Sequence, residues 1–225
     1  MTLSAIFYGA GYLTGLIAFV LMARSRRLLT DGVMTLLAIA LLGGLVFAIA
    51  AQRLIGGTAG KTVLGGIVGG YLCVAIGKRA MGIRRPLGDL FAVAISAGEA
   101  VGRLGCFFGG CCYGKACYLP WAVYQHGLMR HPTQIYLSLG NLAVLGVLLK
   151  YNSGRPPENT LFYLQGTLYC IVRFVIEFLR DTPPPVMGLS SAQWACVAGL
   201  LYFGYWLCKS LRSGLPKTGS SAPPA

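Results

Sequence analysis

The chain has 225 residues, of which 56% are hydrophobic and only 11% charged, and its mean hydropathy is +0.67. A soluble domain carries about 25% charged residues, so too few polar side chains are present to cover a globule, and the chain reads as an integral membrane protein. Its net charge of +13 does not read as a nucleic-acid footprint, because most basic residues flank apolar runs, where they set membrane orientation.

A membrane-spanning helix needs about 20 apolar residues. Seven segments approach that length: 5–23, 33–52, 62–77, 87–104, 132–149, 159–179 and 188–208. The expected fold class is therefore all-α, with seven transmembrane helices in a single membrane domain over residues 1–212. The Pro/Ser/Gly-rich tail, 213–225, has the composition of a disordered segment. Arg24, Arg26 and Arg27 follow the first apolar run rather than precede it. A signal peptide has the opposite polarity, so this run is expected to be a retained helix.

Orientation follows from the basic residues between spans. Arg24, Arg26 and Arg27, then Lys78, Arg79, Arg84 and Arg85, then Lys150 and Arg155, then Lys209, Arg212 and Lys217 all fall on one side. That side is expected to be cytoplasmic, with the N-terminus and the stretch 102–115 outward and the C-terminus inward. On the outward side, Arg103 and Arg173 stand inside or at the rim of apolar segments, where a charge costs at least about 2.5 kcal/mol. Two readings are open. One is ion pairing within a helix, Arg173 or Arg180 with Glu177. The other is an anion site, such as a lipid phosphate, whose oxygens match the guanidinium fork.

In the third span, Gly65-Gly66 and Gly69-Gly70 form a small-residue face suited to close helix contact; bare backbone there would also let a lipid approach. The outward connection 118–132 carries Trp121, a candidate interfacial anchor, and both histidines, His126 and His131. Their separation of five residues is not the three or four of a helical metal pair.

The stretch Gly102-Arg103-Leu104-Gly105-Cys106-Phe107-Phe108-Gly109-Gly110-Cys111-Cys112-Tyr113-Gly114-Lys115 reads as a Gly- and Cys-rich break between spans. Cys106, Cys111, Cys112 and Cys117 have spacings of five, one and five, which match no common zinc framework. Three readings remain open. A disulfide would join Cys106 to Cys112 or Cys112 to Cys117 on an oxidising face. A reactive thiol at Cys106 would feel Arg103. A metal site is the third. Neither a metal ligand set nor a cofactor is assigned from the sequence. His131 and Tyr8 are candidate proton acceptors.

At these residues the sequence resembles the prolipoprotein diacylglyceryl transferase family over most of its length. The resemblance is carried, in order, by Tyr8-Gly9, by Asp89 at the start of the fourth span, and by Gly102-Arg103-Leu104-Gly105-Cys106-Phe107 against the signature Gly-Arg-x-Gly-Asn-Phe. It continues through Pro120-Trp121-Ala122-Val123, Arg130-His131-Pro132-Thr133-Gln134-Ile135-Tyr136, and Arg173-Phe174 to Glu177-Phe178-Leu179-Arg180. The resemblance implies transfer of diacylglyceryl from phosphatidylglycerol, or another anionic phospholipid, to the thiol of a lipobox cysteine in a preprotein, with release of glycerol 1-phosphate. It implies a multi-pass protein of the bacterial cytoplasmic (inner) membrane with its active face outward. By position it makes Tyr8, Arg103, Gly114 and Arg173 functional, with Glu177 and Arg180 supporting the second arginine and Gly65 and Gly66 near substrate. The sequence departs from the family at Leu64, which replaces a histidine before Gly65-Gly66. It departs again at Cys106 for asparagine, at Gly109-Gly110-Cys111 for Asn-Gly-Glu, and at Leu137 for glutamate. Catalysis would then draw its base from His131, Tyr8 or a cysteine thiolate. The alternatives are a phospholipid-head-group transferase with another acceptor, and a non-enzymatic Cys-dependent metal, thiol or lipid-handling protein.

Overall fold

A computed structural model describes residues 2–54, 63–182 and 187–214. Among them the chain forms seven helices and one hairpin: α1 (Leu3–Ser25), α2 (Asp31–Leu54), α3 (Val63–Ala80), α4 (Gly88–Phe108), β1 (Val123–Gln125), β2 (Leu128–Arg130), α5 (Thr133–Asn152), α6 (Thr160–Glu177) and α7 (Ser191–Gly214). Each expected span holds one helix. Four of them, α1, α2, α4 and α5, are long and apolar enough to cross a membrane by length and composition. Helix α7 runs on to Gly214, nearly two turns beyond the expected span, and the tail from 215 lies outside the described residues.

The chain divides into two compact units, residues 23–85 and residues 1–22 with 86–225. In the first, α2 and α3 meet through glycines. A Cβ on Gly69 would lie 2.1 Å from Cβ of Phe47, and one on Gly44 would lie 3.1 Å from the Gly66 carbonyl. The small-residue face of the third span is thus a helix-packing face.

In the second unit, α1 crosses α4 backbone to backbone. A Cβ on Gly11 would lie 2.9 Å from Cα of Gly102 and from the Gly98 carbonyl. Phe19 meets Phe91 edge to face, with centroids 5.0 Å apart. Helix α5 is tied to α4 by Ser138, whose hydroxyl donates to the Ala100 carbonyl.

Helices α4 and α6 cap one another. Asp89, in the first turn of α4 and 4% exposed, accepts from the backbone N–H of Asn159 and of Phe162, each at 3.2 Å. Asn159 returns its side-chain oxygen to the N–H of Gly88 at 3.1 Å. These are the orphan donors that every helix start leaves open. Asp89→Ala is expected to cost about 2 kcal/mol by stranding two of them, read as a lower thermal midpoint in detergent, with Asp89→Asn recovering part of the loss.

The connection between α4 and α5 contains an unforeseen hairpin. Val123 pairs with Arg130, Tyr124 with Met129 and Gln125 with Leu128. The two turn residues, His126 (φ 50) and Gly127 (φ 80), are both left-handed, the requirement of a type I′ turn.

Candidate functional site

The stretch 102–115 is only partly a break. Helix α4 continues to Phe108, so Arg103 and Cys106 project from its last two turns. The helix then closes in a Schellman cap. Gly110, with φ 63, donates to the Phe107 carbonyl at 3.2 Å, and Cys111 donates to the Cys106 carbonyl at 3.1 Å. This cap folds Cys111 back over Cys106. A second left-handed residue, Cys112 at φ 62, brings the third thiol in, and the three Sγ atoms lie within 4.8 Å of one another. All eight cysteines are free thiols, so neither expected disulfide is formed, and Cys117 lies outside the cluster.

The loop is fixed by its carbonyls, each of which accepts from a different neighbour. Gly110 accepts from His126 Nε2 at 2.7 Å, and Cys111 from Gln134 Nε2 at 2.7 Å. Cys112 accepts from Thr133 Oγ1 at 2.7 Å, Tyr113 from the Asp181 N–H at 3.2 Å, and Gly114 from Arg130 Nη1 at 3.1 Å. Arg130 is the fastener. It also pairs with Asp181 at 2.7 Å and lies over the Tyr113 ring at 4.6 Å. Gly114 bridges to Arg180 and donates to the His131 carbonyl at 3.1 Å, which draws the end of α6 against the thiol loop.

Three arginines gather here with two acids. On α4, Arg103 is 8% exposed and grips Glu99 one turn back with contacts of 2.9–3.1 Å, while its Nη2 also reaches the Tyr169 hydroxyl at 3.4 Å. On α6, Glu177, 4% exposed, takes Arg173 at 2.8 Å, Arg180 at 3.2 Å and the Ser190 hydroxyl at 3.3 Å. Arg173 has Arg180, Tyr169 and Arg103 within electrostatic range. The ion-pair reading of these arginines is therefore correct as geometry, and it does not exhaust them. Arg173 Nη1 and Arg180 Nε are buried with no partner, and three guanidinium charges face two carboxylates. The surplus charge and the unfilled donors suit an anion.

Thiols and arginines adjoin. Arg180 and Arg103 act electrostatically on Cys112. The thiol hydrogen bonds of Cys106 and Cys111, aided by those two charges, hold the Cys112 pKa well below the usual thiol range, while hydrogen bonding with Cys106 raises that of Cys111. The Tyr8 hydroxyl donates to Cys106 Sγ at 3.4 Å and lies 3.8 Å from Cys111 Sγ. Gly105 makes room for it, since a Cβ there would meet the Tyr8 ring at 2.9 Å.

Of the residues singled out from sequence, the structure joins Arg103, Arg173, Arg180 and Glu177 with Cys106 and Tyr8, and Gly114 sits at the seam. His131 is turned elsewhere. Its Nδ1 lies 3.4 Å from the Tyr136 hydroxyl, which accepts from Trp121 Nε1 at 2.8 Å. Gly65 and Gly66 belong to the other compact unit, and the side chain of Leu64 lies outside the described residues. Sequence reasoning missed Tyr169, whose placement four residues before Arg173 on α6 was the available signal.

Comparison with known proteins bears on the chain as a whole. A family profile described as prolipoprotein diacylglyceryl transferase matches residues 2–208. A phosphatidylglycerol–prolipoprotein diacylglyceryl transferase of Polynucleobacter necessarius is 36% identical over 135 residues, covering 56% of this chain and 50% of that protein. The protein of the same name from Clostridium tetani is 32% identical over 145 residues, covering 60% and 58%. That from Aromatoleum aromaticum is 33% identical over 161 residues, covering 64% and 61%. The chain thus spans about half to three-fifths of the length of the curated relatives it matches. With the profile running through every helix from α1 into α7, the chain belongs to the prolipoprotein diacylglyceryl transferase family.

Proposed function

We propose that this chain is a membrane transferase that moves a diacylglyceryl group from phosphatidylglycerol to an acceptor thiol, the lipobox cysteine of a prolipoprotein, releasing glycerol 1-phosphate. The names of its relatives support the reaction. The observation that carries it to this chain is the buried arginine cluster with unfilled donors on Arg173 and Arg180. In this reading seven helices cross a bacterial cytoplasmic membrane, with the N-terminus and the arginine cluster outward and the C-terminus inward.

Arg103, Arg173 and Arg180 hold the lipid phosphate, with Glu99 and Glu177 keeping the three guanidinium groups in place. The acceptor sulfur forms a bond to the glyceryl carbon as the bond from that carbon to the phosphate oxygen breaks. Glycerol 1-phosphate leaves with the electron pair, and its added negative charge appears beside the guanidinium groups. Donors aimed at charge that develops during reaction are the largest source of rate enhancement in many enzymes.

The test is release of labelled glycerol phosphate from head-group-labelled phosphatidylglycerol in liposomes, with a lipobox peptide as acceptor. Arg103→Ala and Arg173→Ala are each expected to lower release at least about 100-fold. Arg103→Lys is expected to recover little, because an ammonium lacks the fork. Absence of release by the wild-type chain with the peptide would overturn the reading.

A further inference from the structure

An acceptor thiol has a pKa near 8.5 and is mostly protonated at neutral pH, so alkylating it requires something that strips its proton. The imidazole expected for this, His131, faces Tyr136. What does adjoin the arginines is a group of three free thiols. We propose that Cys106, Cys111 and Cys112 bind a zinc ion whose fourth position takes the acceptor sulfur as a thiolate. The metal site stands on the geometry alone, and the acceptor step rests on the transferase reading above.

Zinc bound at about 2.3 Å from each of three sulfurs in tetrahedral geometry holds them roughly 3.8 Å apart. The three Sγ atoms here, within 4.8 Å of one another and unbridged, already approach that arrangement. They are also held there. The Schellman cap stacks Cys111 on Cys106, and the carbonyls of Cys111 and Cys112 are anchored on Gln134 and Thr133. A ligand set on an anchored backbone meets a metal with little reorganisation.

Three protein ligands and one open position make the catalytic pattern of zinc, whereas four closed ligands make the structural one. Three thiolates on a divalent ion leave one negative charge, and an acceptor thiolate raises it to two. The charges of Arg180 and Arg103, close enough to act on Cys112, offset that excess. A coordinated thiol loses its proton outright. That proton leaves to solvent when the acceptor binds. The zinc-bound sulfur then bonds to the glyceryl carbon, and glycerol 1-phosphate departs with the electrons of the broken carbon–oxygen bond. The thioether formed is a poorer ligand than a thiolate and leaves the metal. No electron is gained or lost by the protein.

The full chain, purified in detergent under reducing anaerobic conditions, is expected to take up one zinc ion. Loading should protect Cys106, Cys111 and Cys112 from iodoacetamide and leave Cys117 and Cys208 reactive. Cobalt in place of zinc should give thiolate charge-transfer bands that intensify on adding a cysteine lipobox peptide but not its serine analogue. Cys106→Ser, Cys111→Ser and Cys112→Ser should each weaken uptake at least about tenfold, and Cys117→Ser should not. Protection needs no substitution, so a variant that fails to fold leaves the test standing. Absence of zinc protection, or stoichiometric Cu(I) with no zinc uptake, would overturn the site. A loaded site whose cobalt spectrum ignores the peptide, in a chain that releases glycerol phosphate, would overturn the acceptor step. Zinc uptake without any release would instead sink the transferase reading.

Discussion

Glu177→Ala is expected to be among the most damaging single substitutions in this chain. One carboxylate, 4% exposed, is shared by Arg173, Arg180 and Ser190. Removing it leaves two guanidinium groups, with side chains 13% and 15% exposed, repelling each other without an anion between them. Breaking a buried pair this way costs about 3–5 kcal/mol, so the thermal midpoint in detergent should fall sharply. Added phosphatidylglycerol should recover part of that fall in the variant, because its phosphate supplies the missing negative charge. Transfer should drop at least about 100-fold even where the variant folds, since misplacing a positioning group by about 1 Å costs that much. Glu177→Gln keeps the shape but not the charge and is expected to be intermediate. A variant with unchanged midpoint and turnover would show that the arginines do not depend on Glu177.

The second large effect is expected at Gly114. A Cβ there would lie 2.6 Å from both Cβ and the carbonyl oxygen of His131 and 2.8 Å from the Leu179 carbonyl. Two of those three atoms are backbone, so no change of rotamer relieves the overlap. The loop must move instead, and it carries the contacts that join Arg130 and Arg180 to the thiol segment. Gly114→Ala should therefore cost about 1–3 kcal/mol, as overpacking does, and should abolish transfer by separating thiols from arginines. Gly102→Ala is the contrasting control. A Cβ at Gly102 meets nothing within 4 Å, so alanine should leave stability unchanged or raise it by about 1 kcal/mol through helix propensity. Parallel melting curves and glycerol phosphate release decide both cases.

The helices were legible because hydropathy over about 20 residues is a strong signal, and each expected span holds one. The hairpin was not. Asn-Gly or Asp-Gly announces a type I′ turn, and His126-Gly127 fills the same left-handed positions with a residue seldom read that way. The arginines were legible as functional candidates, but only the structure shows that they are paired and still carry unfilled donors. The thiol group was hidden by its spacing. Five residues and then one match no metal framework, yet Gly110 ends α4 so that the residue after it returns over the one five earlier. A Schellman cap puts those two positions in contact as a matter of geometry, so Cys-Phe-Phe-Gly-Gly-Cys carried the signal in its glycines rather than in the interval between cysteines.

The mutual caps of α4 and α6 set a common zero for two rulers. Both helices begin at the Asp89–Asn159 knot and run the same way. From Gly88 to Arg103 and from Thr160 to Arg173, a rise of 1.5 Å per residue gives roughly 22 Å and 20 Å. The two arginines therefore reach nearly the same depth because their helices are counted from the same level. A residue gained or lost within either count would move its guanidinium by about 1.5 Å along the axis and turn it by about 100°, so the spacing of the proposed phosphate site is set from the far ends of the two helices that carry it.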